Sequence, residues 1–242
     1  MEMRNTLTIL VLMLGQLSFG QTLSDLEQRL RLLDSIAEFK YDTTGFSMLP
    51  KIDHFCDNEN QNPSDYYHVA DLNSDGLNDL IYSGPCKPYA QTGIFLNTGQ
   101  AFKRIHNYPG SLVSIEKRTS STIIHILKTA CCCDYYSEYI AVTIDSTSNV
   151  TKNTIAFEPN TKIKLGLRPR FSKVIGTLRT TPETNDIIKK DSCNGQIIKG
   201  NQITRIENFK NIIQLNRVGS WWLVLYPQNK ERSWIGWMKI NK

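Results

Sequence analysis

The chain has 242 residues, 40% of them hydrophobic, with 28 Lys and Arg against 23 Asp and Glu for a net charge of +5. That mild excess comes with no dense basic block, so the concentrated cationic face that phosphate neutralisation needs is missing and nucleic-acid binding is excluded. Beyond the first residues no apolar run reaches membrane length, so no membrane span is expected.

Residues 1–20, "MEMRNTLTILVLMLGQLSFG", place Arg4 before an apolar run from Leu7 to Leu14, then Ser18-Phe19-Gly20. Basic, apolar and small residues in that order predict a signal peptide, and the run is too short to span a bilayer. No cysteine stands at the cut, which argues against a bacterial lipoprotein. The protein is therefore expected to be exported, to the periplasm or the extracellular space. Roughly 220 residues would remain, enough for one large or two small domains.

Next, "TLSDLEQRLRLLDSIAEFKY" carries Leu26, Leu30, Leu33, Ile36 and Phe39 at helical spacing. Ser24 and Glu27 form a capping-box signal, so a helix is predicted over 22–41. From Gly45 onward the signals are short β runs between Asn, Gly, Pro and Ser. Strands are expected at Tyr66–Ala70, Asp79–Tyr82, Gly93–Leu96, Leu112–Lys117, Ser121–Leu127, Tyr136–Ile144 and Thr154–Phe157. "STIIHILK" and "EYIAVTID" read as neighbours joined through Cys131-Cys132-Cys133. A basic, weakly alternating stretch at 160–172 suggests a boundary, giving domains at 21–165 and 172–242.

The six cysteines are Cys56, Cys86, Cys131, Cys132, Cys133 and Cys193. An even count in an exported chain suggests disulfides. Adjacent cysteines bridge each other only with strain, so each of the triplet is expected to seek a distant partner, with the connectivity left open. A metal–thiolate site is the alternative, but the usual Cys-x-x-Cys spacing is absent.

"HVADLNSDGLNDLIYSG" (68–84) sets Asp71, Asn73 and Asp75 at alternate positions, with the Leu77 carbonyl and Asp79 continuing the series around Gly76. Carboxylates so close repel one another unless a cation lies between them. Hard oxygen donors in that number suit Ca²⁺, which takes six to eight at about 2.3–2.6 Å. An EF-hand would need Glu where Tyr82 stands. The run "VADLNSDGLNDLIY" followed by "GIFLNTGQAFKR" resembles one FG-GAP/VCBS-type unit of integrin-like β-propellers, over residues 65–108. The resemblance implies a structural calcium loop and a blade hairpin ended by "LNTGQAF". A propeller needs about four or more blades and only one copy is present, so a single blade-like unit in a smaller β domain is expected.

All four tryptophans fall near the end of the chain. Gly176-x-Leu178-Arg179-x-x-Pro182, then "GSWWLVLY" and "IGWMKI" with Gly236-Trp237, resemble bacterial SH3-like (SH3b) domains, with "IIKKDSCNGQIIKGNQ" a longer insert than usual. The resemblance implies a small β-barrel that binds a cell-wall peptide or other ligand, or docks a neighbouring domain. In "WWLVLY", alternation puts Trp222, Val224 and Tyr226 on one face and Trp221, Leu223 and Leu225 on the other. Candidate ligand-binding residues are Trp221, Trp222, Tyr226, Trp234 and Trp237.

Four scattered histidines, His54, His68, His106 and His125, accompany no nucleophile motif or phosphate loop, so no enzyme is expected. The expected protein is mainly β: an N-terminal helix, a β-rich domain with a blade-like calcium hairpin unit, then a small SH3-like barrel. Its expected role is that of a non-catalytic binding protein of the bacterial envelope, for a protein, peptide or cell-wall glycan. The alternatives are an inhibitor or immunity-type protein that blocks an enzyme, or an unrecognised hydrolase.

Overall fold

The computed structural model describes residues 66–86, 89–130, 134–159, 161, 170–173, 175–191, 195, 197–206, 211–229 and 231–239. The predicted leader and the predicted helix over 22–41 lie outside the described residues, as do His54, Cys56, Cys131, Cys132, Cys133 and Cys193. The described part is mainly β, with sixteen strands and no α-helix among the described residues.

Four strands, β1 (Tyr67–Ala70), β2 (Asp79–Gly84), β3 (Gln91–Asn97) and β4 (Phe102–Pro109), form an antiparallel meander in chain order. Its registers run Val69 against Leu80, Ile81 against Ile94 and Leu96 against Lys103. β2 reads "DLIYSG" and is apolar on successive residues because both of its faces are covered. Ile81 enters one cluster with Leu72, Ile94 and Tyr108, while Leu80 and Tyr82 enter another with Tyr67 and Phe95. β4 is an edge strand with Lys103, Arg104, His106 and Asn107 exposed, a charged rim that discourages further strand addition.

A second sheet of ten strands begins with another meander: β5 (Ser111–Lys117), β6 (Ser121–Lys128), β7 (Ser137–Asp145) and β8 (Val150–Phe157). The strands expected from "STIIHILK" and "EYIAVTID" do pair, with Ile124 opposite Val142. The two meanders pack through Ile124, Ile126, Ile140, Val142 and Ile144 against Ile81, Ile94 and Leu96. Leu72, from the acidic loop, is fully buried in that same cluster.

The later strands are β9 (Arg170–Lys173), β10 (Gly176–Arg179), β11 (Ile188–Lys190), β12 (Ile197–Lys199), β13 (Gln202–Ile206), β14 (Asn211–Val218), β15 (Trp221–Pro227) and β16 (Arg232–Lys239). β14, β15 and β16 are antiparallel neighbours; β16 also pairs β10, which pairs β13. β16 then runs parallel to β8, Arg232 opposite Thr154 and Trp234 opposite Ala156. The segments on either side of 160–172 thus share one hydrogen-bonded sheet and one apolar cluster, with Tyr139, Ala141 and Ile155 beside Leu223, Leu225 and Ile235. Among the described residues no helix is long and apolar enough to cross a membrane.

Because Leu72 joins the loop to the packing between the two meanders, its truncation leaves a cavity. Leu72→Ala is expected to cost about 2–5 kcal/mol, read as a lower urea midpoint at unchanged slope.

Candidate functional site

The acidic loop connects β1 to β2, and its curl is visible in the backbone: Ser74 and Gly76 have φ of 63° and 84°. Gly76 therefore occupies the left-handed conformation in which a side chain is disfavoured. The carboxylate of Asp71 accepts from the backbone N–H of Asp75 (3.2 Å) and of Gly76 (3.1 Å). Asp75 accepts from Leu77 N–H (2.8 Å) and from the Asn73 amide (2.9 Å). The same Asn73 amide donates to Ser148 Oγ at 3.1 Å, which ties the loop to the β7–β8 turn. That turn is organised by Asp145, which accepts from Thr147 and Asn149; the Thr147 hydroxyl and the Asn149 N–H hold its carboxyl below the usual range.

Asp79 stands apart from the other two carboxylates. It is fully buried, and its two oxygens accept from Leu72 N–H (2.7 Å) and Asn97 N–H (2.8 Å). Asn97 in turn donates its side-chain amide to the Asn78 carbonyl at 3.1 Å and accepts from Gly99 N–H at 2.9 Å. The turn at "LNTGQAF" is thereby stitched to the acidic loop through one carboxylate. Burial raises the Asp79 carboxyl above its ordinary value; the bonds from Asn97 and Leu72 lower it, and the charges of Asp75 and Asp71 raise it further.

Asp71, Asp75 and Asp79 form no ion pair with a described residue. Nor do three or more His, Cys, Asp or Glu side chains converge as a metal-binding group among the described residues. The loop nevertheless offers hard oxygens alone, from Asp71, Asn73, Asp75 and the Leu77 carbonyl, a donor set that fits Ca²⁺ and not Zn²⁺. Asp79 differs from Asp71 and Asp75 in its burial, with backbone N–H groups of Leu72 and Asn97 on its two oxygens.

The candidate aromatic residues divide between the two faces of the β14–β15–β16 sheet. Trp222, Tyr226 and Trp234 lie with Leu178, Val224 and Met238, whereas Trp237 packs with Leu223, Leu225 and Ile235. By strand alternation Trp221 shares the face of Leu223. Around Trp234 a second group assembles that the sequence did not single out. Tyr136 meets the indole edge-on at 5.0 Å, the Arg232 guanidinium lies 4.7 Å over it, and the indole N–H donates to Gln228 (3.0 Å). Arg232 also pairs with Glu138 at 2.7 Å, so the cluster straddles the junction of β7, β8 and β16. Tyr135, next to it, is exposed. The signal was present in "DYYSEY", but only the β8–β16 pairing brings it to Trp234.

His125 is buried. One ring nitrogen bonds the Tyr139 hydroxyl and the other lies 3.3 Å from Glu116, which pairs with Arg118 at 2.9 Å. Tyr139 is itself fully buried, so this hydroxyl is sealed from any substrate. Lys128 Nζ pairs with Asp134 (2.8 Å) and lies 4.7 Å over the Tyr89 ring, and the Tyr89 hydroxyl also bonds Asp134. These bonds, Lys128 first, hold the Asp134 carboxyl below its usual range. The cleft beside them, lined by Tyr89, Ser111, Lys128 and Thr129, has a volume of about 150 Å³, below the ~300 Å³ at which ligand pockets begin. Cys86 packs beside Tyr82.

No family model, no curated protein and no solved structure matches the chain.

The raised Asp79 carboxyl gives a signed pH dependence. The folded state holds this proton more tightly than the unfolded chain, so its contribution is fully present below the ordinary value of 3.8 and is lost as pH rises through the folded value. In calcium-free buffer, the stability difference between wild type and Asp79→Asn is expected to narrow as pH rises from about 4 upward. The variant itself is expected to lose about 1–3 kcal/mol, because its NH₂ faces a backbone N–H that it cannot accept. Urea unfolding of both proteins across that range checks the slope.

Proposed function

We propose that the chain is an exported, non-catalytic binding protein of the bacterial envelope, in which an FG-GAP/VCBS-like loop holds a structural Ca²⁺ and an SH3-like module engages a peptide, glycan or protein partner. The observation that carries the reading is the β1–β4 meander closed at one end by Asp79. One carboxylate joins the acidic loop to the β3–β4 turn, with the oxygen donors of Asp71, Asn73 and Asp75 on the same loop. Asp71, Asn73, Asp75 and the Leu77 carbonyl would hold the ion, which would supply neutralising charge to the loop. Support for the SH3-like part comes from β10 pairing both β13 and β16 around the Leu178, Ile206 and Met238 core.

Partner binding is assigned to the aromatic cluster around Trp234. Tyr136, Trp234, Arg232 and Glu138 combine ring faces with charge and hydrogen-bonding groups on one side of the sheet, a mixture suited to stacking a sugar or gripping a peptide. Reading the protein as a binder and not a catalyst is supported by His125, whose hydroxyl partner is sealed.

Two measurements test the proposal. Millimolar Ca²⁺ is expected to raise the melting temperature by several degrees, as a ligand well above its dissociation constant does, and Asp75→Ala is expected to abolish the rise. Identical melts of the wild type in Ca²⁺ and in chelator would remove the calcium loop from the reading. Separately, titration with soluble peptidoglycan fragments is expected to shift the tryptophan fluorescence and release heat, with Trp234→Phe weakening binding about tenfold. A flat titration would reject the glycan and cell-wall peptide as partners.

A further inference from the structure

β11 and β12 form a two-stranded hairpin outside both larger sheets. On and beside them the protein exposes apolar surface: Ile187, Ile188 and Ile197 are 61%, 68% and 71% exposed, more than any other large hydrophobic residue among those described. Lys189, Lys190 and Lys199 are exposed alongside, and none forms an ion pair with a described residue. The register sets Ile188 opposite Lys199, Lys189 opposite Ile198 and Lys190 opposite Ile197. Each face therefore mixes isoleucine with lysine, with no separate apolar centre or charged rim.

The base of this hairpin is tightly held. Arg179, itself buried, pairs with Asp186 at 2.7 Å, and Gln202 donates to the same carboxylate at 2.5 Å. The Asn201 side chain donates to the Thr181 hydroxyl (2.7 Å) and the Glu183 carbonyl (2.9 Å), and accepts from Arg179 (2.9 Å). Gly200 has φ of 55° and lies so close to Asn185 that an added Cβ would fall 1.9 Å from its carbonyl oxygen. A hairpin fixed this firmly at its root presents its isoleucines to solvent as part of the folded structure.

We propose that the β11–β12 hairpin docks the protein on an anionic lipid surface, its isoleucines entering the headgroup–acyl boundary and its lysines meeting the lipid phosphates. Charge decides against a second copy, since two hairpins would oppose lysine to lysine. Size decides against a protein partner, because a stable protein interface draws on roughly 20–30 residues a side. A lipid surface needs only a small apolar wedge flanked by cations, and takes lysine and isoleucine on the same face. This docking depends on neither the calcium loop nor the Trp234 cluster.

The test is sedimentation of the full chain with vesicles of phosphatidylcholine containing about one-third phosphatidylglycerol, against neutral phosphatidylcholine vesicles, with light scattering of the protein alone. Binding to the anionic vesicles is expected to exceed neutral binding about tenfold and to weaken with added salt. The double variant Ile188→Ser, Ile197→Ser and the triple variant Lys189→Gln, Lys190→Gln, Lys199→Gln are each expected to lose at least about fivefold of it. Val218→Ser, which alters another exposed apolar residue, and Asp75→Ala are expected to bind as wild type. Circular dichroism melts of the hairpin variants close to wild type assign a loss to the surface and not to unfolding. No preference for anionic vesicles would overturn the proposal. So would full binding by the isoleucine variant, or a dimer that the hairpin variants dissolve.

Discussion

The end of the molecule that carries the acidic loop depends on one buried carboxylate. Burying Asp79 removes an anion from water, which is costly unless hydrogen bonds replace the lost hydration. Leu72 and Asn97 supply them through backbone N–H groups, each such charge-assisted bond contributing about 1.5–3 kcal/mol. The two donors come from different connections, so the carboxylate holds the β1–β2 loop and the β3–β4 turn as one body. Leu72 continues the link inward, because its N–H serves the carboxylate while its side chain fills the packing between the meanders. Leu72 therefore joins the buried carboxylate directly to the apolar core.

How legible this was depends on the distance over which each feature is decided. Strands β2, β6 and β7 could be read because local alternation and β-branched runs suffice to form them. β4 was missed because Phe102, Ile105 and Tyr108 of "FKRIHNYP" stand three apart and do not alternate. Its strand state comes from the hydrogen-bonding edge of β3, which overrides a weak local preference. The parallel pairing of β16 with β8 left no mark in either segment, since neither run is unusual until both are placed in the same sheet. Loop spacing pointed to the tight turn that Gly76 makes. It did not reveal that Asp79 would be occupied from within, because Asn97 becomes its partner only once the two hairpins lie side by side.

The aromatic end shows the same division between local and distant causes. Alternation in "WWLVLY" assigned Trp222, Val224 and Tyr226 to one face and Leu223 and Leu225 to the other, as the clusters have them. Alternation says which residues share a face, not what covers it. Here one face closes on the Leu178 and Met238 core, and the other continues across β16 into β8 and β7. The partners that give Trp234 its chemical character, Tyr136 and Glu138, come from far along the chain and were beyond a local reading.

Exposure separates the groups that fold the chain from those able to meet something else. The Glu116–His125–Tyr139 series has the order of groups expected of a proton relay, yet His125 and Tyr139 are buried in the sheet that forms them. Its hydrogen bonds satisfy polar atoms among isoleucines, and that is sufficient reason for their geometry. The β11–β12 hairpin inverts the pattern: its apolar side chains are in water while the polar side chains at its root are buried or bonded. An exposed isoleucine alone is ordinary in a folded protein. Three of them held beside three lysines by a rigid root of hydrogen bonds stand at odds with the apolar packing of the two larger sheets, and a surface able to take both kinds of side chain resolves the conflict.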